Sequence, residues 1–264
     1  MKKAVAIIPA RWGSTRFPGK PLYPIAGKPL LQRVWTRVRL ASSVDEVIIA
    51  TDDMRVAEAA FDWGAEVSLT SPKHRSGTDR IAEVARKLRG AAYIINIQGD
   101  EPLIEPGLID RFVRDLRQNP TCGIVTAAHP FDNPADANSP HQVKVVTDLS
   151  GNALYFSRAR IPYPRSGGLQ AADPNKRRLG SRRSLVLRHQ GIYGFRRETL
   201  LQFVRWKPSP LEEAEQLEQL RALENGVTVH VLVTNHGSPG VDTPEDAKAL
   251  EQKLARAKRK AASR

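Results

Sequence analysis

Two kinds of segment alternate along the first half of the chain. Short β-branched apolar runs stand at 4–8, 46–50, 66–69, 93–97 and 124–128, and amphipathic stretches at 30–40, 55–63, 79–88 and 108–116 fall between them. Strands that lack polar alternation and are separated by helical patterns predict a mostly parallel sheet covered on both faces, an α/β fold. In such sheets ligands bind beyond the carboxyl ends of the strands. The segments at those ends are Arg11 to Lys20, Thr51-Asp52-Asp53 and Gln98-Gly99-Asp100-Glu101-Pro102.

Beyond about residue 130 the pattern changes. Residues 142–147 and 153–156, joined by Asp148-Leu149-Ser150-Gly151-Asn152, predict a hairpin. Order thins out over 164–188, which has the composition of a loop, and a further strand is expected over 185–195. Leu211, Ala214, Leu217, Leu220 and Leu223 recur at helical spacing, so one helix is predicted over 210–224, capped at Asn225-Gly226 and followed by a strand at 227–233. Val241-Asp242-Thr243-Pro244-Glu245-Asp246 is a helix start, with Thr243 at the N-cap and Pro244 at the first helical position.

The 264 residues, 41% of them hydrophobic, suit one α/β domain over 1–250, with an excursion at about 130–195, followed by a basic tail at 251–264. The first apolar run is too short to span a membrane and has no cleavage signature behind it, so a cytoplasmic protein is expected. The single cysteine, Cys122, offers neither a disulfide nor metal-ligand spacing and is expected in the core. The formal charge of +13 is concentrated in two places: seven cations against one acid over 164–188, and six cations with no acid over 252–264. Outside them the chain is nearly neutral. That distribution, with 6% aromatic content not interleaved with the charges, argues against a nucleic-acid-binding protein.

The chemistry begins where the first strand ends, in Pro9-Ala10-Arg11-Trp12-Gly13-Ser14-Thr15-Arg16-Phe17-Pro18-Gly19-Lys20-Pro21-Leu22. A buried strand emptying into a loop of glycines and fixed cations suits a polyphosphate, though the spacing is that of neither a Walker loop nor a dinucleotide turn. Asp100, at the end of another buried strand, suits a magnesium ligand beside such a loop; the alternative is a turn-forming Asp before proline. Asp242 has a routine helix start as its alternative. Gly77-Thr78-Asp79-Arg80 suggests a helix N-terminus or a wall of the pocket. His189 alone suggests a structural histidine, and Glu215 and Gln216 lie where a helix ordinarily faces solvent.

Together these segments resemble one family, the 3-deoxy-manno-octulosonate (KDO) cytidylyltransferases, or CMP-KDO synthetases. The resemblance runs through Ile8-Pro9-Ala10-Arg11, Ser14-Thr15-Arg16, Pro18-Gly19-Lys20-Pro21-Leu22, Ser76-Gly77-Thr78-Asp79-Arg80 and Asn96-Ile97-Gln98-Gly99-Asp100-Glu101-Pro102. It continues in Val143-Lys144-Val145-Val146, Ala153-Leu154-Tyr155-Phe156-Ser157-Arg158, His189-Gln190-Gly191-Ile192-Tyr193, Glu215-Gln216-Leu217-Glu218-Gln219-Leu220-Arg221 and Val241-Asp242-Thr243-Pro244-Glu245-Asp246. It implies a three-layer α/β/α, Rossmann-like nucleotide-diphospho-sugar transferase fold with a mixed, mostly parallel sheet. It also implies a homodimer that uses CTP and Mg²⁺ to activate KDO for lipopolysaccharide assembly.

By the same resemblance Ala10, Arg11, Ser14, Ser76 and Arg80 bound the cytidine pocket, with Gln98 shared between nucleotide and sugar. Arg16 and Lys20 hold the triphosphate, Asp100 and Asp242 bind the metal, and Arg158, His189, Tyr193, Glu215 and Gln216 complete the sugar-acid site. A related acid sugar, 8-amino-KDO or a sialic acid, is the alternative substrate. Two features depart from the family pattern: the basicity of 164–188, and Arg160 where a small or apolar residue is usual. The basic segment is expected to close over the anionic substrates. Deleting residues 176–183 should therefore raise the Michaelis constants for nucleotide and sugar acid alike, and unchanged constants would refute the closure.

Overall fold

The structure is a computed structural model that describes residues 2–13, 17–163, 165, 185–235 and 237–262. Most of the basic segment 164–188 lies outside the described residues, as do Ser14 and Arg16. In chain order the elements are β1 (Lys3–Ala10), β2 (Pro24–Ile25), β3 (Lys28–Pro29), α1 (Leu30–Val38), β4 (Glu46–Thr51), α2 (Met54–Asp62), β5 (Glu66–Leu69), α3 (Gly77–Lys87), β6 (Ala91–Asn96) and α4 (Pro106–Gln118). There follow β7 (Ile124–Pro130), β8 (Lys144–Thr147), β9 (Ala153–Ser157), β10 (Leu187–Arg196), α5 (Arg197–Phe203), α6 (Pro210–Glu215), α7 (Gln219–Glu224), β11 (Val229–Val233) and α8 (Pro244–Ala262). They fall into two compact units, one of Met1–Gln118, Ile192–Val204 and Ser238–Arg264, the other of Asn119–Gly191 and Arg205–Gly237.

In the first unit β5, β4, β1 and β6 run parallel, and the end of β10, from Tyr193 to Arg196, pairs antiparallel with β6. The mixed, mostly parallel sheet is thus present. Its central strand β1 is the bare apolar run, and Ala4 to Ile8 are fully buried. The α1 stripe of Leu30, Leu31, Val34 and Val38 is buried too, each side chain contributing at most roughly 1.5–3 kcal/mol. Two of the helices begin on side-chain caps: Asp53 accepts from the Arg55 N–H at 3.0 Å, and Ser76 from the Asp79 N–H at 3.2 Å. The first half of α8 buries Ala247 and Leu250 in a cluster with Phe17, Ile25, Leu30 and Val241. The helix passes residue 250 without a break.

In the second unit β7 runs parallel to β11, and β8 pairs antiparallel with both β9 and β10. Cys122 is buried there, as expected of a core cysteine. The single helix predicted over 210–224 is instead two, α6 and α7. Gln216 takes the left-handed conformation at φ 52° and ψ 50°. The Glu215 and Gln216 carbonyls, which a continuous helix would pair with residues 219 and 220, accept from the Arg158 guanidinium at 2.7 and 3.3 Å. A competing donor from β9's end therefore stops the helix, and periodicity cannot register such a donor.

The hairpin tip between β8 and β9 needs its glycine. Gly151 has φ 89°, and a methyl there would lie 2.8 Å from His230 Nε2. Gly151→Ala is expected to cost about 1–3 kcal/mol in urea unfolding, and an unchanged midpoint would contradict this account of the turn.

Candidate active site

In the first unit the loop after β1 resumes at buried Phe17 and passes through Gly19, at φ 69°, into a 3-10 turn over Lys20–Leu22. The turn aims the Lys20 ammonium at two carboxylates, with Nζ 2.6 Å from Asp100 Oδ2 and 3.3 Å from Asp242 Oδ1. These three residues come from widely separated parts of the sequence. Asp100 is placed by the sharp exit from β6, where a methyl on Gly99 would lie only 3.0 Å from the Pro9 carbonyl oxygen. Asp242 is placed by two contacts. The Val241 N–H donates to the Asp100 carbonyl at 2.9 Å, and the Asp246 carboxylate accepts the Asp242 and Thr243 N–H groups at 3.0 and 2.9 Å.

Asp100 and Asp242 are partly exposed, so these ion pairs add little to stability. What they create is a converging pair of carboxylates already holding one cation. That donor set fits Mg²⁺, which binds through one or two carboxylates and completes its shell with water and phosphate oxygens. No group of three or more His, Cys, Asp or Glu suited to a metal occurs among the described residues.

Around the carboxyl ends of β1 and β6 the structure gathers Ala10, Arg11, Ser76 and Gln98. A methyl on Gly77 would touch Pro9 Cγ at 3.3 Å and approach Gln98 Oε1 at 3.9 Å, which brings the start of α3 against both strand ends. Arg11 is exposed. Arg80 is buried, and its guanidinium donates to Asp52 Oδ2 at 2.9 Å and Thr70 Oγ1 at 2.5 Å. Those bonds tie α3 to the ends of β4 and β5, a structural task that the sequence reading did not assign to it.

In the second unit Arg158 and Glu215 interlock. Glu215 accepts from Ser157 Oγ at 2.6 Å and from the Arg158 N–H at 2.8 Å, while the Arg158 guanidinium also reaches the Pro140 carbonyl at 3.1 Å. Glu215 is therefore turned inward, not toward solvent as its helix position suggests. Gln216 is exposed, and its side chain donates to the Glu213 carbonyl at 2.8 Å. Lys144, fully buried, supports this interlock. Its ammonium donates to the carbonyls of Ser139 at 2.9 Å, Gln142 at 2.7 Å and Arg158. A lysine inside the apolar run 143–146 was the available signal. Burial pushes its pKa down.

His189 stands 2.9 Å from Thr126 Oγ1, and that hydroxyl also lies 3.3 Å from the Gln190 carbonyl. The hydroxyl thus bridges the imidazole and the Gln190 carbonyl. The ring also meets Phe156 edge-on at 4.9 Å, and burial pushes its pKa down to about 3. Tyr193 belongs to the first unit, on β10, with its ring 5.9 Å from that of Phe195. The depressed histidine has a definite consequence. The unfolded chain takes up a proton near pH 6.5, while the folded chain does so only near 3, so the stabilisation is complete above pH 6.5 and is lost as the pH falls toward 3. NMR at pH 5 should find the His189 ring neutral, and titration near pH 6.5 would contradict the buried geometry.

Residues 5–229 match the cytidylyltransferase family model. The 3-deoxy-manno-octulosonate cytidylyltransferase of Geobacter sulfurreducens is 49% identical over 249 residues, covering 94% of this chain and 98% of that one. The protein of the same name from Pseudomonas syringae pv. tomato is 49% identical over 251 residues, covering 94% and 96%. A solved structure of CMP:2-keto-3-deoxy-manno-octonic acid synthetase complexed with CTP superposes with a TM-score of 0.87 at 40% identity, covering 97% of this chain and 99% of that chain. A cytidylyltransferase from Leptospira borgpetersenii, at 17% identity and a TM-score of 0.63, shares the fold. The chain belongs to the 3-deoxy-manno-octulosonate cytidylyltransferase family of nucleotidyltransferases.

Proposed function

We propose that this enzyme transfers the cytidylyl group of CTP to the anomeric C2 hydroxyl of KDO, giving CMP-KDO and diphosphate for lipopolysaccharide synthesis. The observation that carries the reading is the Lys20 ammonium held between Asp100 and Asp242, at the carboxyl end of a parallel sheet. Relatives named for this reaction match nearly the whole chain.

The hydroxyl oxygen attacks the α-phosphorus as its proton passes to solvent, and the bond from the α-phosphorus to the α–β bridging oxygen breaks. Negative charge therefore grows on the leaving diphosphate while two anions are held together. Lys20, with Arg11 and Arg16 on the same loop, supplies fixed positive charge for the phosphate oxygens. Asp100 and Asp242 would hold Mg²⁺, whose chemistry is to neutralise triphosphate charge and polarise a bound oxygen. Ala10, Ser14, Ser76, Arg80 and Gln98 form the nucleotide side of this reading. By the family resemblance, Gln98 and Tyr193 of the first unit and Arg158, His189, Glu215 and Gln216 of the second are assigned to the sugar acid. Neutral His189 keeps an imidazole rather than a second cation among those residues.

The assembly in this reading is a homodimer in the cytoplasm. Exposed Leu149, Leu154, Leu211 and Val233 leave apolar surface on the second unit for a partner, and a single cysteine, Cys122, suits a reducing compartment.

The decisive experiment follows diphosphate release from each nucleoside triphosphate with Mg²⁺ and a panel of acid sugars. Turnover with CTP and KDO is expected; equal turnover with another pair would overturn the assignment. Lys20→Ala should lower kcat by roughly 10²- to 10³-fold, as loss of one preorganised charge donor does elsewhere. Asp100→Asn should abolish Mg²⁺-supported turnover, and a variant with normal turnover would remove Asp100 from the metal site.

A further inference from the structure

Trp12 lies two residues beyond the end of β1, at the head of the loop that leads to Lys20. A cation covers its ring: the Arg55 guanidinium carbon is 3.7 Å from the ring centroid. Arg55 is itself fixed, with Nε 2.9 Å from Asp53 Oδ1 and Nη2 2.6 Å from Asp53 Oδ2, on the residue that caps α2. The far end of the loop closes on the same indole. At Gly19 a methyl would lie 3.2 Å from both Cζ2 and Cη2 of Trp12, so the backbone there passes directly against the ring. Helix α2 also packs on the turn that begins at Lys20.

One indole therefore joins residue 12, residue 19 and α2. We propose that Trp12 is a positioning residue for nucleotide binding: clasped between Arg55 and Gly19, its ring holds the two ends of the loop together and presents Lys20 to the triphosphate. This rests on the CTP reading of the Lys20 site. The physical need lies at the head of the loop: Phe17 is buried and anchors the far end, whereas Arg11 and Gly13 on either side of Trp12 are exposed, and Lys20 follows Gly19 immediately. A planar guanidinium stacked on an aromatic face and pinned by a bidentate carboxylate is a rigid anchor, which a lysine would not reproduce. Trp12 does not itself have to touch the substrate.

The test is calorimetric titration of Mg²⁺ and CTP into the full chain without sugar, together with Michaelis constants for both substrates. Trp12→Ala should weaken CTP binding by roughly 5- to 30-fold while leaving the KM for KDO within about 2-fold. Trp12→Phe, which keeps a ring, should restore binding to within about 3-fold of the parent. Arg55→Met should cost roughly 2- to 5-fold in the parent and nothing further in the Trp12→Ala background, because the two act through one contact. Unchanged CTP binding in Trp12→Ala, equal losses in Trp12→Phe, or an undiminished Arg55 effect in the double variant would overturn the clasp. A parallel rise in both KM values would overturn it too, by showing general damage to the fold. If the unmodified chain binds no CTP, the reading of the site fails instead, and that outcome is distinguishable because it appears before any substitution is made.

Discussion

The first unit is organised around one ammonium group. Lys20, Asp100 and Asp242 are supplied by a loop after β1, the exit of β6 and the start of α8, and nothing local joins them. Placing three such groups within hydrogen-bond reach requires a rigid sheet whose strand ends are in register. The pairing of β1 with β6, Ile7 opposite Asn96, puts the loop and the Asp100 turn side by side. The cluster of Phe17, Ile25, Val241 and Leu250 then docks α8 so that Asp242 arrives at the same place. Apolar packing supplies the scaffold energy, and the charges, partly solvated, return little of it.

The second unit uses charge differently. Lys144 and Arg158 spend their donors largely on main-chain carbonyls, and Glu215 spends its acceptors on Ser157 and the Arg158 N–H. A buried cation facing several carbonyl dipoles satisfies polar groups that would otherwise cost free energy each, and it welds the 139–142 loop, the end of β9 and the break between α6 and α7 into one piece. The same contacts end α6 early. Side chains that the resemblance assigns to the sugar acid are thus also structural, so substitutions there remove support as well as contacts.

Most of the scaffold was legible in the chain. Strand β5 has the predicted bounds, and the remaining strands of the parallel sheet differ by a few residues at most, because an apolar run without alternation has few other ways to be buried. The hairpin tip and the Thr243 cap were legible through their turn and capping chemistry. The helix at 210–224 was not, since periodicity records which face is apolar and says nothing of a guanidinium arriving from position 158. Arg80 was legible as a conspicuous residue, but its partners Asp52 and Thr70 are neighbours only once β4 and β5 are paired.

The sequence by itself determined the strand and helix alphabet, the cation-bearing loop after β1, the acids at 100 and 242, and the family that orders them. These depend on residue type and short spacing, which one dimension records in full. Only the tertiary structure decided that Lys20 bridges the two acids, that Glu215 faces inward, that His189 is held neutral, and that Trp12 meets Arg55 and Gly19. Each of those is a distance between residues separated along the chain or a loss of water around a group, and such quantities exist only once the sheet and its loops have closed.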